Sequence, residues 1–246
     1  MVTPVFLQVA LNGDSPHPAA PRTPEAIAEV ALSVVHAGAH SVHVHAYDSD
    51  GKETLHGHEC GQVLRAIRRL CPDTPISLTT SAAIVSNPAE RLRLIQDWDD
   101  LPDLVSANQG EPGIIPLCEH LLGRGVGIEA GLLTESDAEA FVASGLARHC
   151  RCILIEPLDL DPQVALQRAA AMERIVTDAG IQLEQLHHGY GMACWDVNRR
   201  ALQRGHSIRT GLEDVITLPD GSPAANNADL TTAAVELIRN SGSRLR

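Results

Sequence analysis

The fold can be predicted from a helix followed by a strand in one segment of the sequence, PEAIAEVALSVVHAGAHSVHVHAYDSDG, residues 24–51. Apolar residues recur in its first half with the 3.6-residue period of a helix. Thr23 before Pro24 supplies a capping residue and a proline at the first helical position. Gly38 ends the helical run, and SVHVHAY, residues 41–47, is typical of a strand. The segment therefore predicts one helix followed by one strand.

The same alternation of strand and helix continues along the whole chain. Eight strands, each followed by a helix, in a chain of 246 residues predict a (β/α)8 TIM barrel, an α/β fold that forms a single domain over residues 1–246. A doubly wound sheet usually has fewer strands and a glycine-rich turn after the first one, whereas LNGDSPHPAAP has one glycine. The predicted strands are residues 4–12, 41–47, 76–81, 104–109, 126–133, 152–157, 183–191 and 207–214.

Composition excludes several classes of partner. The formal net charge of -12 argues against nucleic acid, because a phosphate backbone selects a basic surface. Apolar runs fall short of the roughly 20 residues of a membrane span, and the N-terminal stretch lacks the basic segment of a signal peptide. Six scattered cysteines favour reduced thiols over a disulfide framework. We therefore expect a cytoplasmic protein that binds small molecules and has no membrane partner.

His43 and His45 form the first candidate for chemistry. Residues two apart on a strand point to the same face, so the two imidazoles either bind something jointly or are buried with backbone partners. A catalytic zinc site needs a third ligand, and Glu213 ends strand 8, two strands from strand 2 in a closed barrel. The stretch RTGLED, residues 209–214, also places three charges where burial without partners is costly. A divalent metal on His43, His45 and Glu213 would explain both features.

Other polar residues end strands at the face where such barrels carry their active sites. His187 and His188 are adjacent on strand 7, so at most one of them faces the pocket. Glu129 on strand 5 is predicted either to support a ligand or to pair with a basic residue. The sequence leaves these alternatives open.

Four stretches together resemble a known family: HVHAYD (43–48), LTTSAA (78–83), SANQG (106–110) and IRTGLEDVITLPDGSPAANNADL (208–230). They are similar to the beta-keto acid cleavage enzymes, the family of 3-keto-5-aminohexanoate cleavage enzyme, and the similarity runs from strand 1 to the last helix. The resemblance implies one zinc on the two histidines and the glutamate. It also implies acetyl-CoA as co-substrate, with acetoacetate and a new CoA thioester as products, and a homotetramer.

The resemblance also assigns roles to individual residues. It implies that Arg209 and Asp214 assist proton abstraction from the substrate α-carbon. The chemistry agrees, because a β-keto acid can chelate a metal that stabilises the enolate, and a carboxylate can take the proton if its pKa suits. Substrate contacts are implied for four polar residues of strands 3 and 4: Thr80, Ser81, Ser106 and Asn108.

Some positions depart from the family pattern. Tyr47 stands where the family has arginine, and the loop after strand 1 is short, with Asp14 as a possible substitute for the family's glutamate. A tyrosine offers a hydroxyl in place of a guanidinium, which predicts a substrate whose distal group is neutral or apolar. Two alternatives stay open: a metal-dependent lyase or aldolase that needs no CoA, and a non-catalytic binding barrel. The presence of both Arg209 and Asp214 argues against the second.

Basic residues for the phosphates of CoA are harder to identify. The stretch RAIRR, residues 65–69, and the pair Arg91 and Arg93 are candidates. Charged residues on helices usually form a solvated face, and this is the preferred interpretation.

Overall fold

Eight parallel strands close into a barrel in the computed structural model, which describes residues 4–246. Their order around the barrel follows the chain, and the last strand pairs with the first, so the predicted TIM barrel is confirmed. The barrel strands are β1 (Leu7–Ala10), β2 (Ser41–Val44), β3 (Ile76–Thr79), β4 (Leu104–Asn108), β5 (Gly127–Leu132), β6 (Cys152–Ile155), β7 (Gln185–His187) and β8 (Ser207–Thr210).

One helix of eight or more residues follows each barrel strand. The predicted caps are present: the side chain of Thr23 accepts a hydrogen bond from the Ala26 amide, and that of Asp161 accepts one from Gln163. Gly38 ends the first helix at a positive φ of 117°. The helices are α1 (Pro24–Ala37), α2 (Gly57–Leu70), α3 (Pro88–Gln96), α4 (Ile114–Gly123), α5 (Glu135–Ser144), α6 (Pro162–Asp178), α7 (Cys194–Gln203) and α8 (Asn227–Asn240).

The barrel strands are shorter than the sequence predicts. The predicted strand 41–47 leaves the barrel after Val44, and Ala46–Tyr47 pairs antiparallel with Glu53–Thr54 in a small hairpin. At the N-terminal end, Pro4–Val5 pairs outside the barrel with Arg244–Leu245. These boundaries were missed because the residues concerned are themselves extended and paired, although their partners lie outside the barrel.

The two faces of the barrel strands differ in polarity. Outward side chains such as Val9, Val42 and Leu78 pack in the apolar core shared with the helices. Inside the barrel, hydrogen bonds join side chains from alternate strands: Gln8 and Ser77 both donate to the carboxylate of Glu129. The barrel interior is therefore polar at the level of Gln8, Ser77 and Glu129. Among the helices of residues 4–246, none combines the length and apolar character that crossing a membrane requires.

Candidate active site

His43, His45 and Glu213, here called the inner cluster, meet at the C-terminal mouth of the barrel. Nε2 of His43 lies 3.6 Å from Oε1 of Glu213, and Nε2 of His45 lies 3.5 Å from Oε2. The two imidazole rings stand edge to face, at 81° to one another. The structure thus brings together the three residues that the sequence predicts as metal ligands.

The second nitrogen of each histidine is held by a hydrogen bond. Nδ1 of His43 lies 3.0 Å from Oγ of Ser77, whose hydroxyl donates to Glu129 at 2.5 Å, so the Nδ1–H must be the donor to Ser77. Nδ1 of His45 lies 2.5 Å from Oε1 of Glu53. These contacts fix both rings and, in the neutral tautomers, leave the Nε2 lone pairs directed at Glu213. Such outer partners are typical of histidines that bind a metal.

The inner cluster fits a divalent metal. Bonds of about 2.0–2.2 Å in a tetrahedral arrangement place neighbouring ligand atoms roughly 3.3–3.5 Å apart, close to the 3.5 and 3.6 Å observed. Oε2 of Glu213 is buried and accepts no hydrogen bond from residues 4–246. A buried carboxylate oxygen is costly unless a cation faces it; His45 Nε2 faces this oxygen at 3.5 Å, and a metal would take the same role.

The histidines of the inner cluster differ in protonation. Burial lowers the pKa of His43 to about 3, so its imidazole is neutral. Burial acts in the same direction on His45, but the carboxylates of Glu213 and Glu53 outweigh it and raise the pKa of His45 to about 9. Without a metal, His45 therefore holds a proton at neutral pH that a metal would have to displace.

A second set of charges adjoins the inner cluster. The Arg209 guanidinium donates to Glu213 at 2.8 Å and to both oxygens of Asp214, at 2.7 and 3.1 Å. Burial disfavours the Asp214 anion, but Arg209 and His188 hold the pKa of that carboxyl below its usual value. His188 also lies 3.4 Å from Glu156. Arg209 thus connects the candidate metal ligand to the candidate base.

A turn, not a strand, positions the two acidic residues of RTGLED. The predicted strand 207–214 was wrong beyond Thr210, where β8 ends, so strand alternation does not set the directions of Glu213 and Asp214. The Asp214 amide donates to the Gly211 carbonyl, which folds the chain back towards Arg209. Gly211 has a φ of 144°, and a Cβ there would lie 2.0 Å from the Ala10 carbonyl oxygen. Only glycine allows this approach.

A cleft with an empty volume of about 570 Å³ opens over the inner cluster. Of the four predicted substrate contacts, Ser81 lines this cleft. Thr80 turns away and donates to the Ser106 carbonyl at 2.7 Å, while Asn108 donates to Glu111 at 3.1 Å. The lining residues are Gly13, Asp14, His45, Glu53, Ser81, Ala83, Ile84, Glu156, Leu158, Tyr190, Glu213 and Asp214.

Tyr47 holds the loop after β1 over the site. Its hydroxyl donates to the Gly13 carbonyl, and the Arg22 guanidinium lies over its ring, 4.5 Å from the centroid. Arg22 also donates to the carbonyls of Gly13 and Ser15. Gly13 itself has a φ of 56°, and a Cβ there would lie 2.6 Å from Cγ of Glu213. The charge of Arg22 is therefore engaged with the loop backbone.

Four of the five arginines considered for CoA phosphates form ion pairs, the exposed Arg93 with Asp97. Arg65 and Arg68 on α2 form ion pairs with Asp100 and Asp103. Arg91 is buried and bonds to Glu111 at 2.6 Å. These contacts agree with the interpretation of the α2 arginines as part of a helix surface.

Comparison with known proteins gives the family. Residues 4–148 and 161–245 match the model of the beta-keto acid cleavage enzymes. The chain belongs to the beta-keto acid cleavage enzyme family. It is accordingly an enzyme, as the motifs predicted.

Relatives of this beta-keto acid cleavage enzyme include the 3-keto-5-aminohexanoate cleavage enzyme of Fusobacterium nucleatum subsp. nucleatum, which is 25% identical over 93% of this chain and 88% of its own length. The 3,5-dioxohexanoate:acetyl-CoA acetone transferase of Paraburkholderia graminis is 33% identical over 45% of this chain and 36% of its own. Among solved structures, ObcA in complex with a C4-CoA adduct and oxalate has a TM-score of 0.76 at 16% identity. That match covers 93% of this chain and 65% of ObcA, and it supports the fold.

Sequence reasoning on this family member missed some supporting residues. Glu53 follows His45 by eight positions, and only the hairpin closed by Asp48 and Gly51 returns it to the imidazole. The Asp48 and Gly51 turn signal was visible, but the pairing register was not. Glu129, left open between ligand support and an ion pair, accepts from Ser77 below His43 and so belongs to the first alternative.

A second set of ligand-type residues in this enzyme lies outside the barrel. Glu173, His187 and His206, here called the outer cluster, bring their ligand atoms within 4.8 Å of one another. The two imidazoles are stacked, with centroids 4.6 Å apart and planes at 11°. Glu173 accepts hydrogen bonds from Arg200 and Arg204, both at 2.5 Å, and lies 3.1 Å from Nε2 of His206.

Proposed function

We propose that the protein exchanges carbon units between a β-keto acid and acetyl-CoA. The bond between the acyl carbonyl and the α-carbon of the keto acid breaks, and the acyl group passes to the CoA sulfur. A new carbon–carbon bond joins the released two-carbon fragment to the acetyl group, whose bond to the CoA sulfur breaks and so frees that sulfur to receive the acyl group. The products are acetoacetate and a new CoA thioester. Membership of the family supports this proposal, as do the names of the curated relatives, which describe a keto acid cleavage and an acetyl-CoA-dependent transfer.

One observation carries the proposal: the two imidazole nitrogens and the Glu213 carboxylate converge beside the Asp214–Arg209 pair at the base of a cleft. His43, His45 and Glu213 would hold one zinc ion, with a further position open to substrate. When bound, the ion would supply Lewis acidity to the keto acid oxygens.

The remaining roles follow from position and charge. Asp214 would take the α-proton, since it is a carboxylate that lines the cleft beside the inner cluster. Arg209 orients that carboxylate through two hydrogen bonds. Ser81 is the best placed of the predicted substrate contacts because it lines the cleft. Thr80, Ser106 and Asn108 stay predicted contacts.

The distal group of the substrate is proposed to be neutral or apolar. Asp14, Glu53 and Glu156 line the cleft and would repel a second carboxylate. Arg22, the cation nearest to Tyr47, donates its hydrogen bonds to the backbone of the loop after β1. A hydrogen bond in place of an ion pair is worth roughly 1–3 kcal/mol less, so we expect at least a tenfold preference in kcat/KM for a short-chain β-keto acid over a β-ketodicarboxylate.

The experiment incubates the zinc-loaded protein with acetyl-CoA and a panel of β-keto acids, with acetoacetate and the new thioester identified by mass. Asp214→Asn should retain zinc but lose about 100-fold or more in kcat, because it lacks a basic carboxylate. Cleavage without acetyl-CoA would favour the lyase. Absence of any product across the panel, or near-normal turnover by Asp214→Asn, would contradict the proposal. A preference for the dicarboxylate would contradict the assignment of the distal group, and Arg22→Ala would then identify the source of the charge.

Two further predictions concern the protein as a whole. The homotetramer is an expectation from the family resemblance, and light scattering on the purified protein measures it. The cytoplasmic location agrees with six cysteines that are all buried and unpaired.

A further inference from the structure

His188 is a buried histidine between two carboxylates of the cleft. It follows β7, and only 1% of its surface is exposed. Nδ1 lies 3.5 Å from Oδ1 of Asp214, and Nε2 lies 3.4 Å from Oε2 of Glu156. Both of these carboxylates line the cleft over the inner cluster. The imidazole therefore bridges two groups that face the substrate space without lining that space itself.

The charges around His188 suit a bridging cation. Burial and the neighbouring Arg209 lower the pKa of His188, but Glu156 and Asp214 outweigh them and raise it to about 9. At neutral pH an imidazolium thus stands between two carboxylates and can donate to both. Nε2 makes no hydrogen bond to any residue from 4 to 246, and the Glu156 carboxylate faces it at 3.4 Å as an ion-pair partner.

The two oxygens of Asp214 are not equivalent. Oδ1 faces both the Arg209 Nη2, at 2.7 Å, and the His188 Nδ1, at 3.5 Å. Oδ2 receives a single donor, Nε of Arg209, at 3.1 Å. Among residues 4–246, Oδ1 therefore faces two cationic groups, Arg209 and His188, whereas Oδ2 faces Arg209 alone and keeps a free lone pair. His188 together with Arg209 therefore determines which oxygen of Asp214 remains available.

We propose that His188 is a positioning residue for the reaction: it fixes the Asp214 carboxylate with Oδ2 towards the substrate and holds Glu156 at the cleft wall. This inference rests on the proposed function, in which Asp214 takes the α-proton. The contact of Nδ1 positions Asp214, the base, whereas the contact of Nε2 positions only Glu156 in the cleft wall. Catalysis should therefore depend on Nδ1 of His188 more than on Nε2.

Two amide variants test the two contacts of His188 separately. The side-chain amide of asparagine can place a donor near the position of Nδ1, and that of glutamine near Nε2. His188→Asn keeps the contact to Asp214, and His188→Gln keeps the contact to Glu156. His187→Asn is the matched control, because the neighbouring His187 is equally buried but contacts Gln185 and His206 outside the barrel.

The experiment measures kcat and KM for the keto acid, zinc content and melting temperature for the three variants. We expect His188→Gln to lower kcat by ten- to a hundredfold with KM within about twofold, as misplacement of a reacting group does. His188→Asn should recover most of kcat, and His187→Asn should leave it unchanged. All three should retain zinc.

Each other result overturns the inference. Equal loss of kcat in His188→Asn and His188→Gln would mean that the histidine serves only packing or charge. A kcat of His188→Gln within threefold of the unmodified protein would remove the role altogether. If the unmodified protein itself turns over none of the keto acids, the proposed function fails and the inference falls with it. Normal turnover by both the unmodified protein and His188→Gln would refute the positioning role but leave the proposed function intact.

Discussion

The inner and outer clusters contain the same three side chains, two imidazoles and one carboxylate, in different surroundings. A metal bound to an imidazole nitrogen lies in the plane of the ring, because the lone pair lies there. The inner rings stand at 81° to each other, so their planes intersect and the lone pairs of both Nε2 atoms can point to one position. The outer rings are stacked at 11° with centroids 4.6 Å apart, so their planes are almost parallel and share no nearby point.

The hydrogen bonding of the two glutamates differs as well. Glu213 keeps one buried oxygen without a hydrogen bond. The Glu173 carboxylate receives hydrogen bonds from Arg200 and Arg204, so its charge is already balanced. A metal would have to displace a guanidinium from Glu173. Residue types at short distances therefore do not define a metal site, whereas converging lone pairs and a carboxylate oxygen free of hydrogen bonds do.

Glu173→Gln tests the outer cluster as a structural ion network. The change leaves the largely buried Arg200 without its anion, and breaking a buried pair costs about 3–5 kcal/mol, or roughly 6–20 °C in Tm for a chain of this size. Burial opposes ionisation of Glu173, but His206, Arg204 and Arg200 lower its pKa to about 2. The difference in stability should therefore be full above pH 4.5 and shrink as the pH falls towards 2.

The matched control for this variant is Arg93→Gln, which removes an exposed pair with Asp97 on α3 and should change the free energy of unfolding by less than about 1 kcal/mol. Thermal unfolding at several pH values measures both. Zinc content should stay unchanged in Glu173→Gln. Loss of zinc in this variant would make the outer cluster the metal site and reverse the comparison.

Glu53→Gln tests whether the outer partners orient the inner histidines. Glu53 accepts the Nδ1–H of His45, and weakening that bond should raise the Kd for zinc by about 10- to 100-fold with little change in Tm. Gln185→Ala is the control, because the Gln185 side chain contacts Nε2 of His187 in the outer cluster at 3.0 Å. Competition with a chelator measures Kd. Equal weakening by both variants would show that the effect is a general loss of stability.

Proton release provides the smallest and most specific test. The pKa of His45 is about 9 without a metal, and that of His43 is about 3, so one of the two imidazoles carries a proton at neutral pH. Zinc binds to histidines whose imidazoles are neutral, so its binding should release about one proton. The affinity for zinc should therefore rise about tenfold per pH unit up to pH 9. Calorimetry in buffers of different ionisation enthalpy counts the protons. A count of zero or two would show that the assigned protonation is wrong.

The barrel could be predicted because the spacing of apolar residues changes eight times from the period of a strand to that of a helix. This signal does not depend on the exact boundaries of the elements. It fails at the strand ends. Val44 ends β2, yet Ala46 and Tyr47 continue the strand pattern because they form a hairpin with Glu53–Thr54. The predicted end of strand 8 at residue 214 was wrong for a similar reason, since Gly211 permits a turn where the strand was expected to continue.

The residues of the inner cluster could be predicted because two of them are two positions apart on one strand. The outer cluster and the His188 bridge could not, since each joins residues that are distant in sequence on separate elements. Their contacts depend on helix placement and strand register. His188 was recognised as a polar residue at a strand end, but its pairing with Glu156 follows only from the closed barrel.

Zinc content in two double variants tests the central claim most directly. His43→Ala/His45→Ala removes both inner imidazoles, and His187→Ala/His206→Ala removes both outer ones. Elemental analysis of the folded fraction, verified by circular dichroism, gives zinc per chain. The account predicts about one zinc in the outer variant, as in the unmodified protein, and essentially none in the inner variant. Undiminished zinc in His43→Ala/His45→Ala would contradict it.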